Sequence, residues 1–301
     1  MNETESHIEV FSLALESTLI SHGLPYPRNL ETARALERVA REHNVEPRTI
    51  AILDGAIKIG LSDDELQHFA QARDVLKLSR RDIAACIARK QTGATTVSAT
   101  MWLAQRAGIR VFATGGIGGV HRALGAAQTW DVSADLMELA QTPVAVVCAG
   151  AKAILDLPAT LEYLETHNVP VLSWQSDDFP AFYSRSSGIR AQTRVDSADD
   201  AARIIKTHWD LEFRSGVLIA APIPREYEIP REQIEPFIAR ALQEAETQKI
   251  FGNAVTPFLL KRLAELTHGE SVDTNIALLK NNVAVASDIA RALARLDEPV
   301  A

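Results

Sequence analysis

The chain has 301 residues, of which 47% are hydrophobic and 23% are charged, a balance typical of globular proteins. Its formal net charge of −8 argues against a general nucleic-acid or anionic-membrane binder, since both need a basic surface. No apolar run has the length of a membrane span, and the acidic start of the chain does not resemble a signal peptide. The two cysteines, Cys86 and Cys148, form no paired motif, so we expect a protein of the reducing cytoplasm.

Apolar runs alternate with amphipathic stretches over the first three quarters of the chain. The predicted strands cover residues 10–15, 49–54, 75–79, 109–114, 144–149, 169–174 and 217–221. The predicted helices between them cover residues 29–43, 62–72, 80–90, 96–107, 133–141, 157–167 and 197–211. After Pro224 only helices are predicted, over 231–249, 256–268 and 274–296. This pattern indicates a single α/β domain over residues 1–301, with a mainly parallel sheet and a helical C-terminal region.

A glycine-rich loop, TGGIGGVHR, follows the predicted strand that ends at Thr114. Glycines let backbone amides turn toward an anion, so such a loop can bind phosphate. The loop does not complete a G-x-G-x-x-G motif, because His121 stands where the third glycine is needed. A phosphate-binding loop and a tight turn that serves packing alone both remain open.

Two aspartates and a lysine follow this loop. Lys152 comes directly after the apolar run VAVVCAGA, where an amine in a partly apolar pocket can attack a carbonyl, although an isolated lysine is more often exposed. Asp131 and Asp135 are four residues apart and offer oxygen ligands to a hard metal ion. Alternatively, Asp131 or Ser133 caps the following helix and Asp135 lies in its first turn.

Two further ionisable residues lie near predicted strands. Glu16 follows an apolar run and could act as a general acid or base, or could be an ordinary exposed carboxylate. Lys77 lies inside the run VLKLS, with Arg80 and Arg81 beyond it. These three cations could bind a phosphate, or they could protect an edge strand from aggregation.

A series of longer motifs occurs in a fixed order along the chain. They are ALESTLISHGLPYP, KIGLS, KLSRRD, GATTVSATMWLA, VFATGGIGGVHR, DVSADL, VVCAGAKAILDL, TLEYLE, TPFLL and NNVAVAS. From about Phe11 to Ala290 the chain closely resembles the pseudouridine-5'-phosphate glycosidase family, which is similar in fold to indigoidine synthase A. The resemblance implies a three-layer α/β/α fold and reversible cleavage of pseudouridine 5'-phosphate to ribose 5-phosphate and uracil. It also implies a divalent metal, usually manganese, and a homotrimer.

The resemblance also implies roles for individual residues. The nucleophile would be Lys152, the proton donor Glu16 and the metal ligand Asp131. Contacts to the substrate would come from Lys77, Val97, Ser133, Ala134 and Asp135. Residue type and position add His121 and Asn281, and with them Asn282, as candidates for the site of the sugar phosphate.

Lysine chemistry suits the implied reaction. A C-glycoside has no heteroatom leaving group, so the two-carboxylate mechanism of ordinary glycosidases fails. A lysine imine at the anomeric carbon is an electron sink that allows the carbon–carbon bond to break. Glu16 and Asp135 could transfer protons, and Asp131 with its metal could control charge.

Three departures from the family pattern bear on substrate preference. The segment 121–131 is about two residues longer than usual, Ala221 replaces an expected asparagine, and Asp54 replaces a glycine. The alternatives to the glycosidase are an enzyme for a different C-nucleotide or for pigment synthesis, and a non-catalytic protein that binds sugar phosphates.

Overall fold

A computed structural model of the chain describes residues 11–122, 131–250 and 255–297. Within these residues a mixed sheet of ten strands is flanked by helices, which confirms the predicted three-layer α/β/α architecture. A separate pair of two-residue strands lies outside this sheet. No helix in the described ranges is long and apolar enough to cross a membrane.

The elements are numbered in chain order. The strands are β1 (Ser12–Leu15), β2 (Glu46–Leu53), β3 (Ala56–Ile59), β4 (Leu76–Leu78), β5 (Gly93–Thr95), β6 (Val111–Ala113), β7 (Val120–His121), β8 (Ala145–Cys148), β9 (Leu155–Asp156), β10 (Val171–Trp174), β11 (Thr193–Val195) and β12 (Val217–Ala220). The α-helices are α1 (Arg28–Glu42), α2 (Asp63–Gln71), α3 (Ile83–Ala88), α4 (Val97–Arg106), α5 (Ala134–Leu139), α6 (Leu157–Thr166), α7 (Ala198–Asp210), α8 (Arg231–Thr247), α9 (Val255–Leu266) and α10 (Glu270–Arg295). A π-helical turn spans Leu19–Gly23, and 3₁₀ turns span Arg80–Asp82 and Arg225–Tyr227.

The order of the strands places a switch point in the middle of the sheet. The order is β11-β10-β12-β8-β6-β1-β2-β5-β4, with β3 also paired to β2. The strands from β11 to β2 are all parallel, whereas β5 runs antiparallel to β2. The chain leaves β1 toward β2 and returns later as β6 on the other side of β1. In open α/β sheets, a ligand crevice forms at the carboxyl ends of strands where the order reverses in this way.

Buried aliphatic side chains hold the layers together. Central strands such as β8 and β12 are buried along their whole length, as expected for a sheet covered on both faces. The long helix α10 packs against β1, β6 and β8, and α4 packs against β1, β2, β5 and β6. The strands on both sides of the switch point are therefore held in place by α10 and α4.

The structure differs from the predicted elements in detail. Five short strands were missed, namely β3, β5, β7, β9 and β11. The predicted helix 80–90 is a 3₁₀ turn followed by the shorter α3. Among the described residues after Pro224 there are only helices, as predicted.

Candidate active site

A cavity of about 370 Å³ opens where β1, β6 and β8 end. Nine of the eleven residues to which the sequence analysis assigns a role in the site line it, and they come from widely separated parts of the chain. These nine are Glu16, Lys77, Val97, His121, Asp131, Ser133, Ala134, Asp135 and Lys152. The other two, Asn281 and Asn282, are not among the residues that line the cavity in the described part of the chain.

The backbone of Lys152 is hydrogen-bonded to the glycine-rich loop. The amide of Ile117 donates to the carbonyl of Gly150 at 3.1 Å, and the amide of Lys152 donates to the carbonyl of Ile117 at 3.1 Å. Gly150 has a φ of +87°, and a Cβ there would lie 2.6 Å from the carbonyl oxygen of Pro180. A glycine at this position therefore lets the chain turn after β8 and present Lys152 to the cavity.

Asp135 joins the glycine-rich loop to the start of α4. Its two carboxylate oxygens accept hydrogen bonds from the backbone amides of Ser98, at 3.0 Å, and Gly118, at 2.8 Å. Ser133 caps α5 by accepting a hydrogen bond from the amide of Asp135. A Cβ on Gly118 would lie 2.1 Å from Ser133 Oγ. The glycine-rich loop therefore has a packing role. Of the two residues predicted as the N-cap of this helix, Asp131 and Ser133, the cap of α5 is Ser133.

Glu16 follows β1 directly and lies in the wall of the cavity. The hydroxyl of Thr114, the first residue after β6, donates a hydrogen bond to its carboxylate. Burial raises the pKa of Glu16 above its usual range, although the charge of Lys152 and the bond from Thr114 act in the opposite direction. Glu16 can therefore hold a proton at a higher pH than an exposed carboxylate, as a proton donor needs.

Lys77 lies on the edge strand β4 and faces the cavity. Burial lowers the pKa of Lys77, and the positive charge of Lys152 lowers it further. Arg80 points elsewhere, with its guanidinium 3.1 Å from the buried carboxylate of Glu138. Arg81 lines the cavity with Lys77. Two of the three predicted phosphate-binding cations therefore reach the site.

His121 and Asp131 lie together at the cavity. The imidazole Nε2 is 4.0 Å from Asp131 Oδ2, and the backbone amide of His121 donates to the carbonyl of Asp131 at 3.0 Å. Burial lowers the pKa of His121, while the charge of Asp131 opposes this shift. The predicted lengthening of segment 121–131 falls mostly on residues 123–130, which lie outside the described residues.

Asp131 could give a metal ion one carboxylate ligand. Its side chain is 46% exposed, so water and substrate can reach it. The described ranges contain no group of three His, Cys, Asp or Glu side chains placed to hold a metal. A metal here would complete its coordination with water and substrate oxygens, as Mg²⁺ commonly does. The residues present therefore fit a weakly held, oxygen-preferring cation.

The two adjacent asparagines of α10 have different partners. Asn281 donates to the carbonyl of Pro222 at 3.4 Å. Asn282 is fully buried and donates to the carbonyls of Thr114, at 2.8 Å, and Gly115, at 3.3 Å. Asn282 therefore holds the start of the glycine-rich loop from α10 and not from the cavity.

Sequence reasoning missed several residues of the cavity wall. They include Thr18, His22, Phe182, Asn275 and Leu279. Thr18 and His22 belong to the motif that contains Glu16, so proximity in sequence could have indicated them. No local pattern marks Phe182, because it reaches the cavity only through the tertiary fold.

The fold and the cavity define an α/β/α enzyme with a half-buried acid and two lysines at the switch point of its sheet. The family model for indigoidine synthase A like proteins matches residues 8–292. The pseudouridine-5'-phosphate glycosidase of Caldanaerobacter subterraneus subsp. tengcongensis is 56% identical over 94% of this chain and 92% of its own. The enzyme of that name from Geobacillus kaustophilus is 57% identical over 93% of each chain.

Solved structures agree with these matches. The indigoidine synthase A-like protein of Thermotoga maritima has a TM-score of 0.85 and 38% identity over 93% of this chain and 91% of its own. The prealnumycin C-glycosynthase AlnA, solved with ribulose 5-phosphate, has a TM-score of 0.86 and 38% identity over 95% and 92%. The chain belongs to the indigoidine synthase A like family, and as a relative of the curated glycosidases it is an enzyme of the C-glycosidase type.

Proposed function

We propose that this enzyme reversibly cleaves pseudouridine 5'-phosphate to ribose 5-phosphate and uracil through an imine on Lys152. The observation that carries the proposal is the joint presence of Lys152, Lys77, Glu16 and Asp135 in one cavity. The names of the curated relatives support the substrate. The sugar phosphate bound to AlnA supports a site for a phosphorylated five-carbon sugar.

The first step opens the sugar ring. The bond between C1′ and the ring oxygen O4′ breaks, O4′ takes a proton, and the Lys152 amine forms a bond to C1′ and loses a proton to a cavity carboxylate, which leaves a lone pair on its nitrogen. Glu16 supplies this proton, and its raised pKa, which is caused by burial, favours the protonated form that a donor needs. Burial lowers the pKa of Lys77, and the positive charge of Lys152 lowers it further. The attack requires the neutral form of the Lys152 amine.

The second step breaks the carbon–carbon bond. The uracil carbon C5 takes a proton, the lone pair of the lysine nitrogen forms a C=N bond, and the electron pair of the C1′–C5 bond returns to the pyrimidine ring. Water then hydrolyses the imine, which releases ribose 5-phosphate and restores the amine. Lys77 and Arg81 supply positive charge for the phosphate group.

Two of the three departures from the family pattern, Ala221 and Asp54, lie away from the reacting groups, whereas the longer segment 121–131 begins and ends at the cavity residues His121 and Asp131. Ala221 is fully buried, and its amide donates to the carbonyl of Cys148. Asp54 lies in the turn between β2 and β3. Neither residue lines the cavity as the structure describes it. The positions of Ala221 and Asp54 are therefore compatible with the substrate that the curated relatives are named for.

The first test combines synthesis with chemical trapping. The purified protein with Mn²⁺, ribose 5-phosphate and uracil should form pseudouridine 5'-phosphate, detected by mass-resolved chromatography, and Lys152→Ala should abolish product. Borohydride reduction with ribose 5-phosphate should leave one sugar per chain on the peptide that contains Lys152. Lys77→Met is the matched control, because it removes the other cavity lysine and should keep the adduct.

Either of two results would contradict the imine mechanism: an adduct on Lys77, or full turnover by Lys152→Ala. Ribose 5-phosphate binding without product, equal in the wild type and Lys152→Ala, would favour a non-catalytic binding protein. A second catalytic candidate is a synthase for another C-nucleotide, favoured by the similarity to AlnA. It predicts product with a different aromatic acceptor and none with uracil.

Three further expectations concern the metal ion, the oligomeric state and the cellular location of the enzyme. We infer that Mn²⁺ or a similar cation binds at Asp131 and supplies positive charge there; Asp131→Asn should weaken Mn²⁺ binding measured by electron paramagnetic resonance. We infer a homotrimer, which sedimentation equilibrium tests directly. We infer a cytoplasmic location, in accord with two buried free cysteines, and fractionation of the source cells checks it.

A further inference from the structure

Glu16 and Thr114 are the residues that directly follow the two neighbouring strands β1 and β6 at the switch point. β1 and β6 are parallel, and Leu15 pairs with Ala113. The next residues along these strands are Glu16 and Thr114, so their side chains meet just above the end of the sheet. There the hydroxyl of Thr114 donates a hydrogen bond to Glu16 Oε1.

The backbone of Thr114 is held from two sides. Its amide donates to the carbonyl of Val147 on β8 at 3.0 Å. Its carbonyl accepts a hydrogen bond from Asn282 Nδ2 on α10 at 2.8 Å. Thr114 is 1% exposed and Asn282 is fully buried, so neither bond competes with bulk water. The position of the Thr114 hydroxyl is therefore set by the sheet and by α10 before any substrate arrives.

We propose that Thr114 is a positioning residue for Glu16, with its hydroxyl holding one carboxylate oxygen and favouring the ionised form, and that Asn282 fixes Thr114 in place. This proposal rests on the proposed function, in which Glu16 transfers a proton. It assigns a role to two buried polar residues that do not touch the reacting atoms.

The Thr114 hydroxyl is one of several groups that act on the pKa of Glu16. Burial and the negative charge of Asp135 raise its pKa, whereas Lys152, the Thr114 hydrogen bond and Lys77 lower it. A donor to the charged form of a carboxylate lowers its pKa, so loss of the Thr114 hydroxyl must raise the pKa further. Substitution of Thr114 leaves the other three charged groups in place.

The test removes the hydroxyl and keeps the shape of the side chain. In Thr114→Val, the limb of the kcat/KM pH profile that reports Glu16 should move to higher pH by about one unit. The direction is the same whether Glu16 acts as acid or base, because its pKa rises in both cases. Thr114→Ser keeps the donor and should restore the wild-type profile. Thr114→Ala removes the same donor and serves as a second variant should valine fail to fold.

Thr49 offers a matched control. Its hydroxyl donates to Glu37 Oε1 at 2.7 Å, and both residues are buried. Neither of them lines the cavity in the described part of the chain. Thr49→Val therefore removes the same kind of threonine–glutamate hydrogen bond at a distance from the chemistry, and it should leave the pH profile unchanged.

A second readout does not depend on turnover. Infrared difference spectra between each protein and its Glu16→Gln partner report protonation of the Glu16 carboxyl without substrate. Thr114→Val should titrate at higher pH than wild type in these spectra. Equal titration curves, or an equal shift in Thr49→Val, would overturn the proposal. An inactive wild type would instead refute the proposed function, while the infrared titration would still decide the role of Thr114.

Discussion

Glu16 lowers the stability of the folded protein for the same reason that it suits proton transfer. Its raised pKa means that the folded state binds the proton more tightly than the unfolded state. The free energy of unfolding therefore falls as pH rises from the ordinary carboxyl pKa through the pKa of the folded state. Glu16→Gln should be more stable than wild type at neutral pH, and the difference should vanish in acid, where both side chains are neutral.

Calorimetric melting temperatures at a series of pH values measure this difference. Glu246→Gln is the control, because Glu246 is exposed on α8 and does not line the cavity as the structure describes it. It should show no difference that grows with pH. A Glu16→Gln variant whose melting temperature runs parallel to wild type from acid to neutral pH would refute the claim that burial raises this pKa.

The location of most site residues was predictable, because the motifs that contain them follow strands that end at one edge of the sheet. Glu16 and Lys152 each follow an apolar run, and parallel strands end at one edge of a sheet, so the sequence implied that they meet. The asparagine pair was harder. Successive residues on a helix point about 100° apart, so only one of Asn281 and Asn282 can face the glycine-rich loop. Only the tertiary packing shows that it is Asn282.

At the scale of elements, long buried strands and amphipathic helices were predictable and the short strands were not. β7 and β9 have two residues each, which is too short for any periodic pattern. β3 is different, because Asp54 and Gly55 have φ values of 49° and 80°, as in a type I′ hairpin turn. The Asp-Gly pair is typical of such a hairpin, but the sequence analysis predicted only an alternation of strands and helices and so missed β3.

The β2–β3 turn allows a test of this hairpin. A Cβ on Gly55 would lie 2.8 Å from the carbonyl oxygen of Ile87, at a positive φ. Gly55→Ala should lower the free energy of unfolding by about 2–3 kcal/mol, from backbone strain and crowding together. Gly108→Ala is the matched control, since Gly108 also has a positive φ but no atom within 4 Å of a Cβ. It should cost about 1 kcal/mol in denaturant unfolding. Equal losses in the two variants would show that crowding at the turn is absent.

At the scale of the whole molecule, the two cysteines report on the packing of different parts of one core. Cys86 lies on α3 and Cys148 on β8, and both belong to the same buried cluster. Burial raises the pKa of Cys148 to about 12 and also raises that of Cys86. Since the thiolate is the reactive form, neither cysteine should react with an aromatic disulfide reagent at about pH 8 in the folded protein.

Thiol reactivity then tests whether the chain folds as the single domain predicted from its sequence. One cooperative core exposes both sites together, so both thiols should become reactive at the denaturant concentration where helical circular dichroism is lost. The variants Cys86→Ala and Cys148→Ala assign each reaction to one site. Two separate transitions, with Cys86 exposed before Cys148, would show that the part of the sheet around β4 and β5 unfolds independently. Glu16 and Lys152 would then lie in one unit and Lys77 in another, so partial unfolding would remove Lys77 from the cavity before the rest of the site is lost.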